Sequence, residues 1–343
     1  MTRQVFVVGS LGRGSVGASS LGLSGLGQGG TGVGVARTGF DSTRDSASIR
    51  GDSLAGLSSG DEVELAGEEA HHAAVKRLCL GEIVDLVDGL GSRATGEVVR
   101  LGKTIRIRLL DAAQLEAEPA LRLTLIQALA KEKRDMQALE SACEIGATRV
   151  VPWGAARSVS RWDTVPKRAK GREKWRKLAL SAMKQSRQSR LAEIGEYVES
   201  GVDVARGYNA DSPDNRPDSK TVFSEVERII SRGGVVFVLH ESATEKLSSL
   251  LEDLVFDSAT PPSQPLPPVP VRSLSNAAQG VQQQLPTEIA VVVGPEGGIT
   301  EAELAGFETV GARVALLGPT VLRCSTAGPA ALAVIQATLG SWR

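Results

Sequence analysis

Two short segments near the C-terminus carry residues suited to chemistry. One is Gly294-Pro295-Glu296-Gly297-Gly298-Ile299-Thr300; the other is Leu316-Leu317-Gly318-Pro319-Thr320-Val321-Leu322-Arg323-Cys324-Ser325-Thr326-Ala327. Glycines let backbone amides approach a ligand closely and tolerate positive φ. Thr300 with Glu303 three residues on forms a capping box for a helix start. Arg323 stands just before a second helix start, expected at Ser325 or Thr326, where a cation can meet a polyanion or a developing negative charge. The same residues also suit two well-capped strand-to-helix turns and an Arg paired on the surface with a carboxylate.

These turns need strands to hold them. Val235 to Leu239, Ile289 to Val293 and Val314 to Leu317 are almost wholly apolar, as parallel strands covered on both faces are. Leu121 to Ala128 and Arg149 to Trp153 also read as strands. Helices are expected at Glu132 to Ile145 with Gly146 as the stop, at Lys167 to Ser189, and at about 244–254, 301–309 and 326–340. Alternating strands and helices predict an α/β domain with ligands at strand C-terminal ends. Polar interruptions at 209–220 and about 257–287 are expected as insertions.

The first third differs. Val5 to Val8 is strand-like. Residues 9 to about 58 are rich in Gly and Ser and lack periodicity, which predicts a largely disordered insertion. Gly12-Arg13-Gly14-Ser15-Val16-Gly17 matches a dinucleotide-binding fingerprint in letters, but more Gly and Ser follow where a helix must begin. From about 60 to 115, short strands with Gly turns suggest a small β barrel, Asp88-Gly89 among the turns. Ile105, Ile107 and Leu109 alternate with Arg106 and Arg108, giving one apolar and one basic face.

Composition narrows the class. The chain has 343 residues, enough for two domains, and a net charge of −1, so any nucleic-acid signal must be local. Ten cations lie in one stretch: Lys167, Arg168, Lys170, Arg172, Lys174, Arg176, Lys177, Lys184, Arg187 and Arg190. Such a stripe suits phosphate contacts as well as a solvated helix face. The three cysteines are scattered, which disfavours a disulfide framework or a metal site and fits a cytoplasmic location. His71 and His72 have no Cys or His partner nearby and suit a polar strand-to-helix edge. No apolar run approaches a membrane span, and the apolar start is too short for a signal peptide.

The ordered motifs resemble the RsmE family, bacterial 16S ribosomal RNA uridine-N3 methyltransferases of the SPOUT class. The resemblance spans most of the chain. Behind Val5 to Val8 it runs through His71-His72-Ala73-Ala74-Val75-Lys76-Arg77-Leu78, Gly81 to Gly91, and Gln127-Ala128-Leu129-Ala130-Lys131. It continues through Gln185-Ser186 with Arg190, then Leu239-His240-Glu241, then the two C-terminal segments. It implies a PUA-like RNA-binding β-barrel over 1–117 and, over 118–343, a SPOUT α/β domain with a deep trefoil knot. It implies S-adenosylmethionine as methyl donor, bound by Leu239, His240, Glu241, Gly294, Pro295, Glu296, Gly297, Gly298, Leu317, Gly318 and Leu322. Arg323 would be catalytic. Arg77, Arg106, Arg108, Lys131, Lys184, Arg187 and Arg190 would meet RNA. The implied partners are 16S ribosomal RNA within the 30S subunit and a second copy of the chain, with no metal and no membrane. The family pattern L-R-T-E-T-A is broken here by Cys324 and Ser325, so 325 offers no carboxylate base; Glu296 and Glu241 stand as candidates. Ribose 2′-O-methylation and non-catalytic RNA binding are the competing functions for the same fold.

Overall fold

A computed structural model describes residues 3–8, 35–36, 53–202, 220–256, 285–340 and 342. The fingerprint match at 12–17, the 209–219 run and residues 257–284 lie outside them. Two compact units emerge: Met1–Glu118 with Leu180–Leu191, and Pro119–Ala179 with Ala192–Arg343.

The first unit holds β1 (Val5–Val7), β2 (Val35–Ala36), β3 (Glu62–Leu65), α1 (Gly67–Val75), β4 (Ile83–Val87), β5 (Ser92–Arg100), β6 (Ile105–Leu109) and β7 (Gln114–Leu115). Its strand order is β1-β4-β5-β6-β3-β2, with β7 also on β5. Only β1 and β4 run parallel among these pairs. An irregularity between Val98 and Arg100 shifts the β5–β6 register, and such bulges bend a sheet. With β1 and β2 at its two ends, the sheet curls as a half-barrel, in keeping with the PUA-like expectation. The predicted alternation holds: Ile105, Ile107 and Leu109 are buried, while Arg106 and Arg108 face outward.

Two expectations need correction here. The insertion does not extend to 58, because Leu54 and Leu57 join the core of this unit. Asp88 secures that segment: its carboxylate accepts from Leu54 N at 3.2 Å and Ser53 Oγ at 2.9 Å, and from Leu90 N at 2.8 Å and Ser92 N at 2.9 Å. Burial opposes ionisation of Asp88, but these hydrogen bonds outweigh it and hold the carboxyl below its ordinary range. Moreover, residues 67–75 are helical, not part of an all-β run. Ala is the best helix former, Glu68 and Glu69 favour the N-terminus, and Ala70 and Ala73 bury one face. His71 and His72 therefore sit on α1. Burial first, and Lys184 next, lower the basicity of His72.

The second unit holds β8 (Arg122–Ala128), α2 (Arg134–Ile145), β9 (Arg149–Gly154), α3 (Val165–Ser186), β10 (Glu193–Ile194), β11 (Val198–Glu199), α4 (Val222–Ile230), β12 (Val235–Leu239), α5 (Leu247–Phe256), β13 (Glu288–Val293), α6 (Glu301–Thr309), β14 (Arg313–Ala315) and α7 (Cys324–Thr338). The last residues of α3 are grouped with the first unit. The sheet order is β10-β9-β8-β13-β12-β14, with β11 on β9, and all pairs are parallel. β8, β9 and β13 are buried nearly throughout, as the apolar runs predict. Gly146 ends α2 at φ +107°. Helix α4 was not legible: only nine residues long, it follows the polar run directly, although Thr221 and Ser224 cap it reciprocally.

Candidate functional site

The strands β12, β13 and β14 end at Leu239, Val293 and Ala315 on one edge of the parallel sheet. In open α/β sheets that C-terminal edge is where ligands bind. The loops leaving it surround a cavity of about 620 Å³, within the range of small-molecule sites. Every expected donor-binding residue lines it: Leu239, His240 and Glu241; Gly294, Pro295, Glu296, Gly297 and Gly298; Leu317, Gly318 and Leu322. Arg323 lines it too.

The loops are pinned to one another by backbone. His240 N donates to Ala315 O at 3.1 Å, Leu316 N to Glu245 O at 2.8 Å and Leu247 N to Leu316 O at 2.9 Å. In the tight turn, Gly298 adopts φ +74° and donates to Pro295 O at 2.9 Å. A Cβ on Gly294 would stand 2.6 Å from Ile299 Cγ1, so this turn needs glycine there. A Cβ on Gly318 would meet no protein atom within 4 Å. Packing does not demand that glycine, which leaves the cavity wall bare. Among the described residues, the N–H groups of Leu317, Gly318 and Leu322 donate to no protein acceptor. Unpaired donors on a bare wall fit a ligand that carries its own acceptors, such as a nucleoside.

The capping box is real and does more than cap. Glu303 is fully buried, and its Oε2 accepts from Thr300 N at 2.9 Å. Its Oε1 accepts from Ala156 N at 2.7 Å and Ser200 Oγ at 2.6 Å, which ties the loop after β9 to the start of α6, next to the 294–298 turn. Glu296 is likewise engaged: its Oε1 accepts from Lys131 N at 3.0 Å and pairs with Arg134 Nη1 at 3.3 Å.

Arg134 and Arg157 also line the cavity and were missed in the sequence. Arg134 Nη2 donates to Glu132 at 2.7 Å, and Arg157 Nη1 donates to Gly297 O at 3.0 Å. The available signal was position, since each follows a strand of the same parallel sheet, β8 or β9. Helix α7 starts at Cys324, earlier than expected, with Arg323 as its extended N-cap residue. Arg323 is exposed, whereas Cys324 and Ser325 are buried. Burial, and then Glu296, push the Cys324 thiol up to about 11, so it is no thiolate at neutral pH.

The residues expected to meet RNA divide into two groups. Arg106 pairs with Glu62 and Glu64, and Arg108 with Glu62. Lys184 pairs with Glu69. Arg190 donates to Leu90 O and Glu116 O, both at 2.6 Å. These four cations are held by their own unit. Arg77, Lys131 and Arg187 are exposed. Helix α3 ends before Arg187, which takes φ +58°, so the stripe is not one continuous helix. Lys170, Lys174 and Lys177 are exposed at helical spacing, while Arg168 pairs with Glu199 and Arg172 donates to Ile194 O at 3.1 Å. Among the described residues, no group of three His, Cys, Asp or Glu is placed to hold a metal. No described helix is long and apolar enough to cross a membrane.

Comparison with known proteins follows the same division. Residues 117–207 and 270–336 match the model of an RNA methyltransferase domain, and residues 65–109 that of an RNA methyltransferase PUA domain. The chain is 32% identical over 280 residues to ribosomal RNA small subunit methyltransferase E of Mycobacterium bovis, covering 80% of this chain and 86% of that protein. The protein of the same name from Bacillus subtilis is 24% identical over 274 residues, covering 79% and 88%. The crystal structure of the Neisseria gonorrhoeae enzyme of this name, bound to S-adenosyl methionine, shares the fold with TM-score 0.61 and 22% identity, covering 84% of this chain and 96% of that one. A putative methyltransferase from Legionella pneumophila with bound SAM gives TM-score 0.59 and 22% identity, covering 82% and 93%. Identity and coverage together show that the chain belongs to the ribosomal RNA small subunit methyltransferase E family.

Proposed function

We propose that this protein transfers a methyl group from S-adenosylmethionine to N3 of a uridine in 16S ribosomal RNA of the small subunit. The observation that carries this reading is the single cavity walled by 239–241, 294–298 and 316–323, with a cation, Arg323, on its rim. The donor supplies an activated methyl on a sulfonium, so the protein need not activate it further. Leu317, Gly318 and Leu322 would bind its nucleoside through backbone N–H groups. The loops, pinned to one another by backbone hydrogen bonds, would form that wall in a trefoil-knotted fold.

Uridine N3 must lose its proton before it can attack. Arg323 stabilises the resulting uracilate, where preorganised positive charge is worth most. Holding N3 in line with the methyl supplies much of the remaining acceleration. Glu241, exposed on the rim, is the carboxylate left to take the proton, since Glu296 is committed to Lys131 and Arg134. RNA would meet Arg77 in a PUA-like domain over 1–117, together with Arg187 of the Leu180–Leu191 segment that groups with it. The methyltransferase domain over 118–343 would add Lys131. Exposed Val321 and Leu322 beside the cavity suit a homodimer interface. A cytoplasmic location follows from the 30S substrate.

The test is methylation of 30S subunits lacking the modification with a tritiated donor, followed by nucleoside digestion and mass spectrometry. N3-methyluridine at a single mapped site supports the reading. Ribose methylation, or no transfer despite donor binding, overturns it.

A further inference from the structure

The loop between β8 and α2 is strained. Glu132 and Lys133 are consecutive non-glycine residues in the left-handed region, at φ +54° and +61°. L-residues adopt that region reluctantly, and such strain persists only where the surroundings fix it. Here one side chain of the donor turn fixes it from outside. Glu296 accepts from the backbone N of Lys131, just before the strained pair, and from Arg134, just after it. Arg134 in turn holds Glu132 at 2.7 Å and donates its own N–H to Lys131 O at 3.0 Å. The loop so clamped carries exposed Lys131 and the cavity-lining Arg134. Thus a turn on the donor wall and a cationic loop beside it share one carboxylate.

We propose that Glu296 is a positioning residue that couples donor binding to RNA binding: it locks the strained 131–133 loop to the donor turn, so that ordering either one presents the other. This rests on the function proposed above. Coupling of this kind is reciprocal, and is commonly 5- to 150-fold. The clamp needs an acceptor for Lys131 N but not a base, so Glu296→Gln retains most of it and Glu296→Ala removes it. Glycine adopts positive φ without the penalty, so Lys133→Gly keeps the loop formed when the clamp is gone.

The experiment is calorimetric titration of donor into full-length protein, with and without saturating in-vitro-transcribed 16S RNA, with melting curves as a check on folding. Wild type is expected to bind donor roughly tenfold tighter with RNA present. Glu296→Gln should keep at least half of that ratio, and Glu296→Ala should fall to within twofold of none. Glu296→Ala with Lys133→Gly should also stay within twofold of none, because a loop formed by glycine is no longer tied to the donor turn. Retained coupling in Glu296→Ala overturns the proposal, as does coupling regained in the folded double variant, where nothing ties the loop to the donor turn. Loss of the coupling in a folded Glu296→Gln protein also overturns it. Wild type that binds donor without any RNA effect sinks this inference alone, whereas wild type that binds no donor sinks the functional reading as well.

Discussion

The two units differ in where their paired cations lie. In the first unit, Arg106 and Arg108 of the curled sheet, and Lys184 and Arg190, are each bound by an acceptor of the same unit, so the sheet face that is basic in sequence is largely neutralised in space. In the parallel unit, Arg134 and Arg157 are also held, by Glu296 and Gly297 O, but on the wall of one cavity that Arg323 shares, and three lysines of α3 remain exposed. A basic residue on a strand is thus a poor guide to a nucleic-acid surface when the neighbouring strand carries Glu62 and Glu64 in register. A basic residue just after a parallel strand is a better one, because all such loops open at the same edge.

That contrast can be broken experimentally. The largest expected effect is at the cavity rim. Arg323→Ala should lower kcat on 30S subunits by about 10²-fold, the usual scale for losing one stabiliser of developing charge. Its donor affinity, read by calorimetry, should change less than threefold. If kcat is unchanged, the rim cation is not part of the chemistry.

Next is the polar anchor of the curled sheet. Asp88→Ala strands four donors and should destabilise the first unit by roughly 2–4 kcal/mol, seen as an earlier melting transition, while donor affinity stays within twofold. The sign of its pH dependence follows from its lowered pKa. The stabilisation is fully present above the ordinary carboxylate value of 3.8 and is lost as pH falls through the lower folded value. Wild type should therefore lose this stabilisation in acid and the variant should not.

A smaller effect separates the two cation sets. Replacing Lys170, Lys174 and Lys177 together by Ala should reduce the slope of log affinity against log salt by about 2, near 0.7 per contact for single-stranded RNA. Replacing Arg106 and Arg108 should change it by less than about 1. Equal losses would erase the distinction between the units.

The smallest effect concerns the thiols. Cys79 is exposed, while Cys143 and Cys324 are buried. Burial raises Cys143 to about 12 and Cys324 to about 11 from the ordinary 9.0. Native protein should label quickly at one cysteine with a disulfide reagent. Both raised thiols favour the fold below pH 9 and lose that contribution as pH rises through 11 to 12, so alkaline melting should show declining stability there.

Much of this molecule was legible without coordinates, for local reasons. Apolar runs marked β12 and β13 nearly to the residue, because parallel strands are covered on both faces. Gly146 and the Thr300–Glu303 box marked helix ends, because capping involves neighbours in sequence. The order of short motifs marked the family, and with it the segments that wall the cavity. The helix over 67–75 escaped, because its apolar stripe is alanine and small. Leu54 and Leu57 escaped as well, because a Gly- and Ser-rich stretch conceals two core residues at its end.

The sequence by itself therefore determined most of the elements, the segments that wall the cavity and the rim arginine, since each is written in residues a few positions apart. Only the tertiary structure decided which charges are spent and which remain. Glu296 was a candidate base until Lys131 and Arg134, more than 160 residues away in the chain, were found bound to it. Arg106 and Lys184 were candidate RNA contacts until Glu62, Glu64 and Glu69 were found beside them. Whether a charge acts on a ligand or on its own protein depends on what lies within about 4 Å, a distance that folding sets and chain separation does not.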